Sequence, residues 1–219
     1  MTTPPLLDTI AGEVTVAQEV TRSRFVATLV PVADASEVTA VLARLHRAHP
    51  GAGHHATALV LGPDGALTRS SDDGEPSGTA GAPMLAVLTG AGLSDVLAVV
   101  SRTFGGVLLG AGGLVRAYGG AVAAAVAGAE RLPRRHVEEL AIEVGHGAAG
   151  WVEPLLYRLV EELGLVVDGA AYTAHGAVYE VVLPAEVGIA ALEQRLAAER
   201  APVTVHHRGS AIRAVAPRR

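Results

Sequence analysis

Seven glycines fall within sixteen residues of this chain, and no other feature constrains its fold as strongly. They lie in the segment FGGVLLGAGGLVRAYGG, residues 104–120. Residues 96–100, just before it, are typical of a buried strand. Residues 114–129 are predicted to form a helix, although Gly119 and Gly120 cost that helix about 1 kcal/mol each. The chain therefore has to pass from a buried strand through a glycine-rich turn into a helix.

The glycine-rich turn is a candidate binding site for an anion. Backbone N–H groups at the start of a helix attract anions, and Arg116, one turn into the predicted helix, would add a charged donor. The candidate anion- or RNA-binding residues are Gly105, Gly106, Gly110, Gly112, Gly113 and Arg116. The spacing matches neither a Walker A motif nor the G-x-G-x-x-G dinucleotide pattern. Close packing of the helix against a sheet is the alternative explanation of the glycines.

A second candidate segment, residues 70–81, places three carboxylates within four residues. These carboxylates could hold a hard cation such as Mg²⁺ or act as an acid–base pair. Asp73 and Gly74 predict a turn, and Ser77 or Thr79 is predicted to be the N-cap of the helix that follows. An acidic surface turn before a capped helix is the commoner structure for such a pattern. The candidate residues in this segment are Asp72, Asp73, Glu75, Ser77 and Thr79.

Two pairs of adjacent histidines are weaker candidates. His54 and His55 lie just before or inside a predicted strand, and His206 and His207 lie at the end of another. Successive side chains of a strand point to opposite faces, so at most one histidine of each pair can belong to a given site. His54 and His55 are kept as candidates beside the acidic segment, and no metal ligand or catalytic residue is assigned.

The composition excludes several kinds of chemistry. All 17 basic residues are arginine and the chain has no cysteine, so lysine Schiff bases, thiolate zinc sites and disulfides are absent. The net charge is −5, and residues 137–219 contribute −4 of it, so no bulk positive field attracts nucleic acid. The first residues lack a signal-peptide pattern and no apolar run is long enough to span a membrane, so a cytoplasmic protein is expected.

The order of predicted elements indicates two domains, at residues 12–132 and 137–208. Residues 131–135, Arg-Leu-Pro-Arg-Arg, are charged and interrupted by proline, and are interpreted as a linker. The second half has the β-α-β-β-α-β order of ferredoxin-like domains, with Trp151, Leu155, Leu159 and Leu163 on the apolar face of its first helix. Residues 209–219 are predicted to be a flexible tail.

Several of these segments together resemble the YigZ/IMPACT family. The resemblance rests on Ser23-Arg24-Phe25, His54-His55, SDDGEPSGTAG at residues 71–81 with the APML that follows, and FGGVLLGAGGLVRAYGG. It covers residues 20–130. The second domain is similar to that of the bacterial YigZ-type members, by element order more than by motif. Many relatives have a cysteine where this chain has Ala56, a position interpreted as part of the core.

The resemblance implies an α+β protein. It implies an N-terminal β-α sandwich similar to the second domain of ribosomal protein S5, and a C-terminal ferredoxin-like domain similar to the last domain of elongation factor G. Their arrangement would be similar to the tip domains of that factor, which touch RNA. Family members in animals and fungi modulate translation, through an activity that involves an additional N-terminal domain.

Three functions remain open on the sequence. The favoured one is a translation- or RNA-associated binding and regulatory protein, with RNA, a ribosome-associated component or a protein as its partner. The paucity of aromatic residues, 3% of the chain, argues against extensive base stacking. The alternatives are an enzyme acting on a phosphorylated or anionic small molecule through the glycine-rich loop, and a protein–protein adaptor. No cofactor is assigned, apart from Mg²⁺ in the enzyme hypothesis, and the sequence does not define the oligomeric state.

Overall fold

The computed structural model describes residues 5–215, which divide into two compact units. The first unit comprises the described residues up to Arg134 together with Ala214 and Val215, and the second comprises Arg135–Arg213. Strands and helices occur in both units, which confirms the predicted mixed α+β class. Within residues 5–215, no helix combines the length and the apolar character needed to cross a membrane.

The first unit is built on a five-stranded antiparallel sheet. Its strands, in the spatial order β2-β3-β6-β4-β5, are β2 (Val14–Val20), β3 (Ser23–Pro31), β6 (Val96–Thr103), β4 (His54–Leu61) and β5 (Leu67–Ser71). The central strand β6 is buried along nearly its whole length and consists of apolar residues up to Val100. A continuous apolar run of this kind is expected for a strand covered on both faces.

Helices cover both faces of this sheet. Helices α2 (Gly81–Gly90) and α3 (Gly110–Ala127) pack on one face, and α1 (Glu37–Ala48) packs on the other. The alternation of side chains along each strand produces the two cores: Phe25 and Ala27 contribute to the α2–α3 side, whereas Val30 and Leu97 contribute to the α1 side. Ala56 is fully buried in the α2–α3 core, as its interpretation as a core position requires.

Helix α3 begins four residues earlier than the sequence predicts. The predicted start was residue 114, but Gly110, Gly112 and Gly113 already lie in the first turn. The buried stripe of Leu114, Ala117, Tyr118, Ala121, Val122 and Ala125 follows helical spacing, and its packing outweighs the low helix propensity of glycine. Gly119 faces Pro83 of α2, where a Cβ atom would already be in van der Waals contact at 3.8 Å.

Residues 131–134, most of the segment interpreted as a linker, are bonded to the first unit. Strand β7 (Arg131–Leu132) pairs with β1 (Thr9–Ile10) in a two-stranded antiparallel sheet. Arg134, whose side chain is buried, forms an ion pair with Asp95 and donates a hydrogen bond to the carbonyl of Leu7 at 3.0 Å. Long-range partners that the local sequence does not reveal therefore hold residues 131–134, and the boundary between the two units falls after Arg134, within the segment interpreted as a linker.

The second unit has the predicted β-α-β-β-α-β order. Its elements are β8 (Arg134–Gly145), α4 (His146–Leu163), β9 (Val166–Thr173), β10 (Gly176–Pro184), α5 (Ile189–Ala198) and β11 (Val203–Ala214). The strand order is β11-β8-β10-β9. Apolar side chains of both helices and of all four strands form its core.

Two predictions for the second unit are wrong. Residues 209–214 belong to β11 rather than to a flexible tail, because the strand continues through Arg213, which forms ion pairs with Glu139 and Asp168; residues 216–219 lie outside the described part. Trp151 is 43% exposed instead of lying on the buried face of α4. That face is centred on Val152, which places Trp151 to one side of it.

We expect Gly176→Ala to destabilise the protein by about 2–4 kcal/mol. Gly176 has φ = +152°, and a Cβ atom there would lie 1.9 Å from the carbonyl oxygen of Val144 on the paired strand. Gly169→Ala in the neighbouring strand is the matched control, because its Cβ atom would meet nothing within 4 Å. Urea unfolding followed by circular dichroism measures both, and equal stability of the two variants would contradict the close approach.

Candidate functional site

Both sequence motifs lie at one end of the sheet in the first unit. His54, at the start of β4, pairs with Arg102 near the end of β6, and β5 ends at Ser71 just before the acidic segment. Helices α2 and α3 both begin at this end, after the acidic segment and the glycine-rich turn respectively. The antiparallel pairing of the strands thus brings together two segments that are about thirty residues apart in sequence.

Asp72 caps helix α2 from a distance. Its carboxylate accepts hydrogen bonds from the backbone N–H groups of Gly78, Ala80 and Gly81 at 2.8, 2.9 and 2.8 Å. Burial by itself raises the pKa of Asp72, but these three donors outweigh that effect and hold the pKa below its usual value. The carboxylate is therefore charged at neutral pH and satisfies the first turn of the helix.

The prediction that Ser77 or Thr79 is the N-cap is wrong. The N-cap residue is Ala80, and it makes no side-chain capping bond. The Thr79 hydroxyl donates instead to the carbonyl of Pro76 at 2.6 Å. Asp72 reaches the orphan N–H groups because the loop folds back on itself, which a search for a capping residue next to the helix does not detect.

Asp73 ties the acidic segment to the start of β4. Its carboxylate accepts a hydrogen bond from the backbone N–H of His55 at 2.5 Å, and its carbonyl oxygen lies 2.7 Å from Nδ1 of His54. Asp73 and Gly74 both have positive φ, +46° and +82°, which produces the sharp turn that the sequence predicts.

The His55 ring makes its contacts on the face of the sheet that α1 covers. Its Nδ1 lies 2.8 Å from the hydroxyl oxygen of Ser101, and its ring stacks on that of His46 with centroids 3.7 Å apart. Burial, and then the neighbouring His46, lower the pKa of His55. His54 contacts the acidic segment and His55 contacts α1, so the two rings do not converge on one ligand.

Glu75 is the centre of a buried polar network that sequence reasoning missed. Its carboxylate lies 2.6 Å from Nη1 of Arg102 and accepts a hydrogen bond from the Tyr118 hydroxyl at 2.7 Å. The Ser23 hydroxyl accepts two hydrogen bonds, one from Nη2 of Arg102 and one from the backbone N–H of Gly105, each at 3.3 Å. This chain of bonds links the acidic segment to the glycine-rich turn through the interior.

All three carboxylates of the acidic segment thus accept hydrogen bonds or ion pairs from the chain itself. Asp72 binds backbone N–H groups, Asp73 binds the start of β4, and Glu75 binds Arg102 and Tyr118. Over residues 5–215 no three acidic or histidine side chains are grouped in a way that could hold a metal ion. The arrangement favours a structural role for these residues over acid–base chemistry.

Gly105 has a specific steric role in the glycine-rich turn. A Cβ atom on Gly105 would lie 2.0 Å from the carbonyl oxygen of Arg22, so only glycine permits this approach of the turn to the β2–β3 hairpin. Gly106 and Gly110 have φ = +84° and +68°, which favours glycine, and neither is crowded. Packing and backbone conformation therefore explain part of the glycine content.

The first turn of α3 opens onto a surface cavity of about 310 Å³. The cavity is lined by Gln18, Val20, Thr21, Leu108, Leu109, Gly113, Arg116, Ala117 and Gly120, none of them acidic. Among the described residues, no side chain makes a capping hydrogen bond at the start of α3. Arg116 is exposed and has no carboxylate within 4 Å among residues 5–215. The acidic segment does not line this cavity, so the two motifs meet through the buried network.

Apolar side chains flank the same turn on its outer side. Leu108 is 87% exposed and Phe104 is 53% exposed. Phe104 lies near the guanidinium of Arg102, whose central carbon is 5.6 Å from the ring centroid. The turn therefore exposes large apolar side chains next to Arg116, which has no ion pair within residues 5–215. This combination is typical of a macromolecular binding surface.

Comparison with known proteins identifies the family. Residues 21–126 match the Impact N-terminal domain family. An IMPACT family member of Thermus thermophilus is 47% identical over 135 residues, which cover 62% of this chain and 72% of that protein. The IMPACT family member YigZ of Escherichia coli strain K12 is 48% identical over 114 residues, 51% of this chain and 56% of that protein. The chain therefore belongs to the IMPACT family.

The solved structures include similar chains. A crystal structure described as that of a hypothetical protein is 31% identical, covers 93% of this chain and 97% of its own, and superimposes with a TM-score of 0.57. The structure of the two-domain translational regulator Yih1 is 27% identical over 57% of this chain, with a TM-score of 0.32. The match spans about half the length of the Haemophilus influenzae and Bacillus subtilis relatives, 52% and 51%.

We expect Asp72→Asn to destabilise the protein at neutral pH by about 1–2 kcal/mol, because the charged acceptor of three N–H groups is lost. Since the folded-state pKa of Asp72 is lowered, its contribution is fully present above about pH 4 and is lost as the pH falls through that pKa. The stability gap between wild type and variant should therefore shrink in acid. Asp64→Asn, in an exposed turn, is the control, and a gap constant with pH in urea unfolding would contradict the capping role.

We expect Glu75→Gln to cost about 3–5 kcal/mol of stability, because Arg102 is left as a buried charge without its counter-ion. Glu13→Gln, which breaks the exposed pair with Arg44, should cost less than about 1 kcal/mol.

Millimolar Mg²⁺ should not shift the wild-type unfolding midpoint. A Mg²⁺-dependent rise that Glu75→Gln abolishes would instead show that this carboxylate binds a cation.

Proposed function

We propose that this protein is a translation-associated binding and regulatory protein, and that it contacts RNA or a ribosome-associated component at the start of α3. The observation that supports this most directly is the uncapped first turn of α3 beside the exposed Arg116, in a cavity whose lining has no carboxylate. Membership of the IMPACT family supports the regulatory role. The predicted cytoplasmic location agrees with such a partner.

The local charge of the α3 surface supports an anionic ligand. Arg22, in the hairpin beside the cavity, and Arg116 are both exposed and form no ion pair within residues 5–215. The helix terminus adds about half a positive charge. A phosphate at this point would face backbone N–H groups and a guanidinium, the combination used for phosphate contacts to RNA.

An enzymatic function has less support. The acid–base pair or cation ligands that it requires would have to come from Asp72, Asp73 or Glu75, all of which are bonded within the chain. The cavity of about 310 Å³ is nevertheless large enough for a small anion such as a nucleotide fragment. The test of the proposal therefore includes a nucleotide as well as RNA.

The architecture of both units agrees with this proposal. We infer that the second unit is a ferredoxin-like domain similar to the last domain of elongation factor G, on the basis of its element order and its strand order. We infer that the first unit is similar to the second domain of ribosomal protein S5. We propose that the two compact units are the folding units, so that the second extends beyond the predicted range of 137–208 and includes β11 up to Arg213.

We expect Arg116→Ala to weaken RNA binding roughly tenfold, which corresponds to the loss of one charge-assisted hydrogen bond. The slope of log K against log salt should fall by about one, because one phosphate contact is lost. Calorimetric titration with short single-stranded RNA and with a nucleotide, each with and without Mg²⁺, measures both effects.

The matched control is Arg69→Ala. Arg69 is also exposed and without an ion pair within residues 5–215, but it lies on β5 at the opposite edge of the sheet from β2. An equal loss in both variants would show diffuse charge attraction rather than a site at α3. If the wild type binds neither ligand under any condition, the anion site is wrong and the glycines serve packing alone.

A further inference from the structure

The outward face of helix α4, in the second unit, forms a shallow groove that the fold itself does not use. The groove measures about 610 Å³ and is lined by Gly150, Glu153, Pro154, Tyr157, Arg158 and Glu161. The buried residues of α4 lie on the opposite face and pack into the core: Ala148, Val152, Leu155, Leu156 and Leu159. The residues of the groove are therefore not needed to bury the helix.

Exposed aromatic side chains mark this face. The whole chain has only seven Phe, Trp and Tyr residues. Two of them lie on the outer side of α4, Tyr157 with 56% and Trp151 with 43% of its surface exposed. Aromatic side chains are enriched in protein–protein interfaces, where they supply much of the binding energy.

Pro154 gives the groove an additional hydrogen-bond acceptor. Proline has no N–H, so the carbonyl of Gly150, four residues earlier, loses the donor that an α-helix would normally provide. Gly150 and Pro154 both line the groove and are both exposed. A partner that donates hydrogen bonds is favoured there over one that only accepts them.

The charge of the groove is negative. Glu153 and Glu161 have no cationic partner within 4 Å over residues 5–215, and Glu153 accepts only a long contact of 3.4 Å from the Tyr172 hydroxyl. Arg158, the one cation in the lining, lies 3.7 Å from Glu199, which offsets its charge. Residues 137–219 contain 7 arginines and 11 acidic residues, which adds a negative background. A phosphate backbone would be repelled here.

We propose that the α4 groove binds a basic segment of a partner protein. An arginine or lysine side chain of that segment would lay its apolar stem on Pro154 and Tyr157 and place its charged end between Glu153 and Glu161. Tyrosine rings attract cations over their faces, and the carbonyl of Gly150 would accept a remaining N–H. The α4 groove shares no residue with the α3 cavity. The proposal therefore stands whether or not the α3 site binds RNA.

The single tryptophan of the chain provides a direct readout of this groove. Trp151 lies three residues before Pro154, less than one turn away on the same helix. Titration of the full chain with a short peptide of alternating arginine and alanine should change the Trp151 emission with a saturable midpoint. The matched peptide of alternating glutamate and alanine should leave the emission unchanged.

Variants of the groove separate specific docking from general charge attraction. Tyr157→Ala and Glu161→Gln should each weaken binding of the arginine peptide roughly threefold to fivefold, as expected for a cation–π or exposed ion-pair contact. Tyr157→Phe, which keeps the ring, should bind like the wild type. Glu193→Gln removes an equally exposed carboxylate from α5, outside the groove, and should have no effect.

Three results would overturn the proposal. One is a titration in which the Trp151 emission does not respond to the arginine peptide. The second is binding that Glu193→Gln weakens as much as Glu161→Gln, which would assign it to the net charge of the unit. The third is a saturable change of the Trp151 emission on titration with short RNA alone, which would show that the groove prefers nucleic acid.

Discussion

The buried ion pair between Glu75 and Arg102 organises the end of the first unit that carries both sequence motifs. Removing two charges from water is costly, and further hydrogen bonds to both groups offset part of that cost. Here the Tyr118 hydroxyl donates to the carboxylate and the Ser23 hydroxyl accepts from Nη2 of the guanidinium, whereas the buried Nε of Arg102 has no hydrogen-bond partner within residues 5–215. The four residues come from the acidic loop, β6, α3 and β3, so one network fixes how these four segments meet. The position of the glycine-rich turn depends on it through the Ser23–Gly105 contact.

Two similar helix ends at this end of the sheet have different properties. Helices α2 and α3 both begin at this end of the sheet, and both have unpaired N–H groups in their first turns. At α2 the carboxylate of Asp72 supplies the negative charge from within the chain. At α3 no side chain within residues 5–215 does so, and the charged residue that lines the adjoining cavity is Arg116. An anion bound from solution would accept hydrogen bonds from the first-turn N–H groups of α3, as the Asp72 carboxylate does at α2.

Much of the fold follows from local sequence patterns. The parts that could not be predicted from such patterns depend on residues that are distant in the sequence. The turn at Asp73-Gly74, the strand that precedes the glycine-rich segment and the β-α-β-β-α-β order were predictable from spacing and turn chemistry. The structure of residues 131–135 was not, because it depends on Asp95 and on strand β1. The role of Glu75 was hidden for the same reason. Arg102 offered a signal: it continues the alternation of Val96, Ala98 and Val100, and an arginine on a buried face needs a counter-ion.

The surfaces proposed for the two units have opposite charge requirements. The α3 cavity offers N–H groups and a guanidinium, whereas the α4 groove offers carboxylates, a free carbonyl and an aromatic ring. A polyanion such as RNA is attracted by the α3 cavity and repelled by the α4 groove. A basic protein is attracted by the α4 groove and repelled by the α3 cavity. A partner that presents both RNA and basic protein segments would satisfy both surfaces. For a partner long enough to reach both surfaces, two weak contacts would reinforce each other, because binding at the first raises the effective concentration at the second. Weak individual sites are therefore compatible with selective recognition of a ribonucleoprotein.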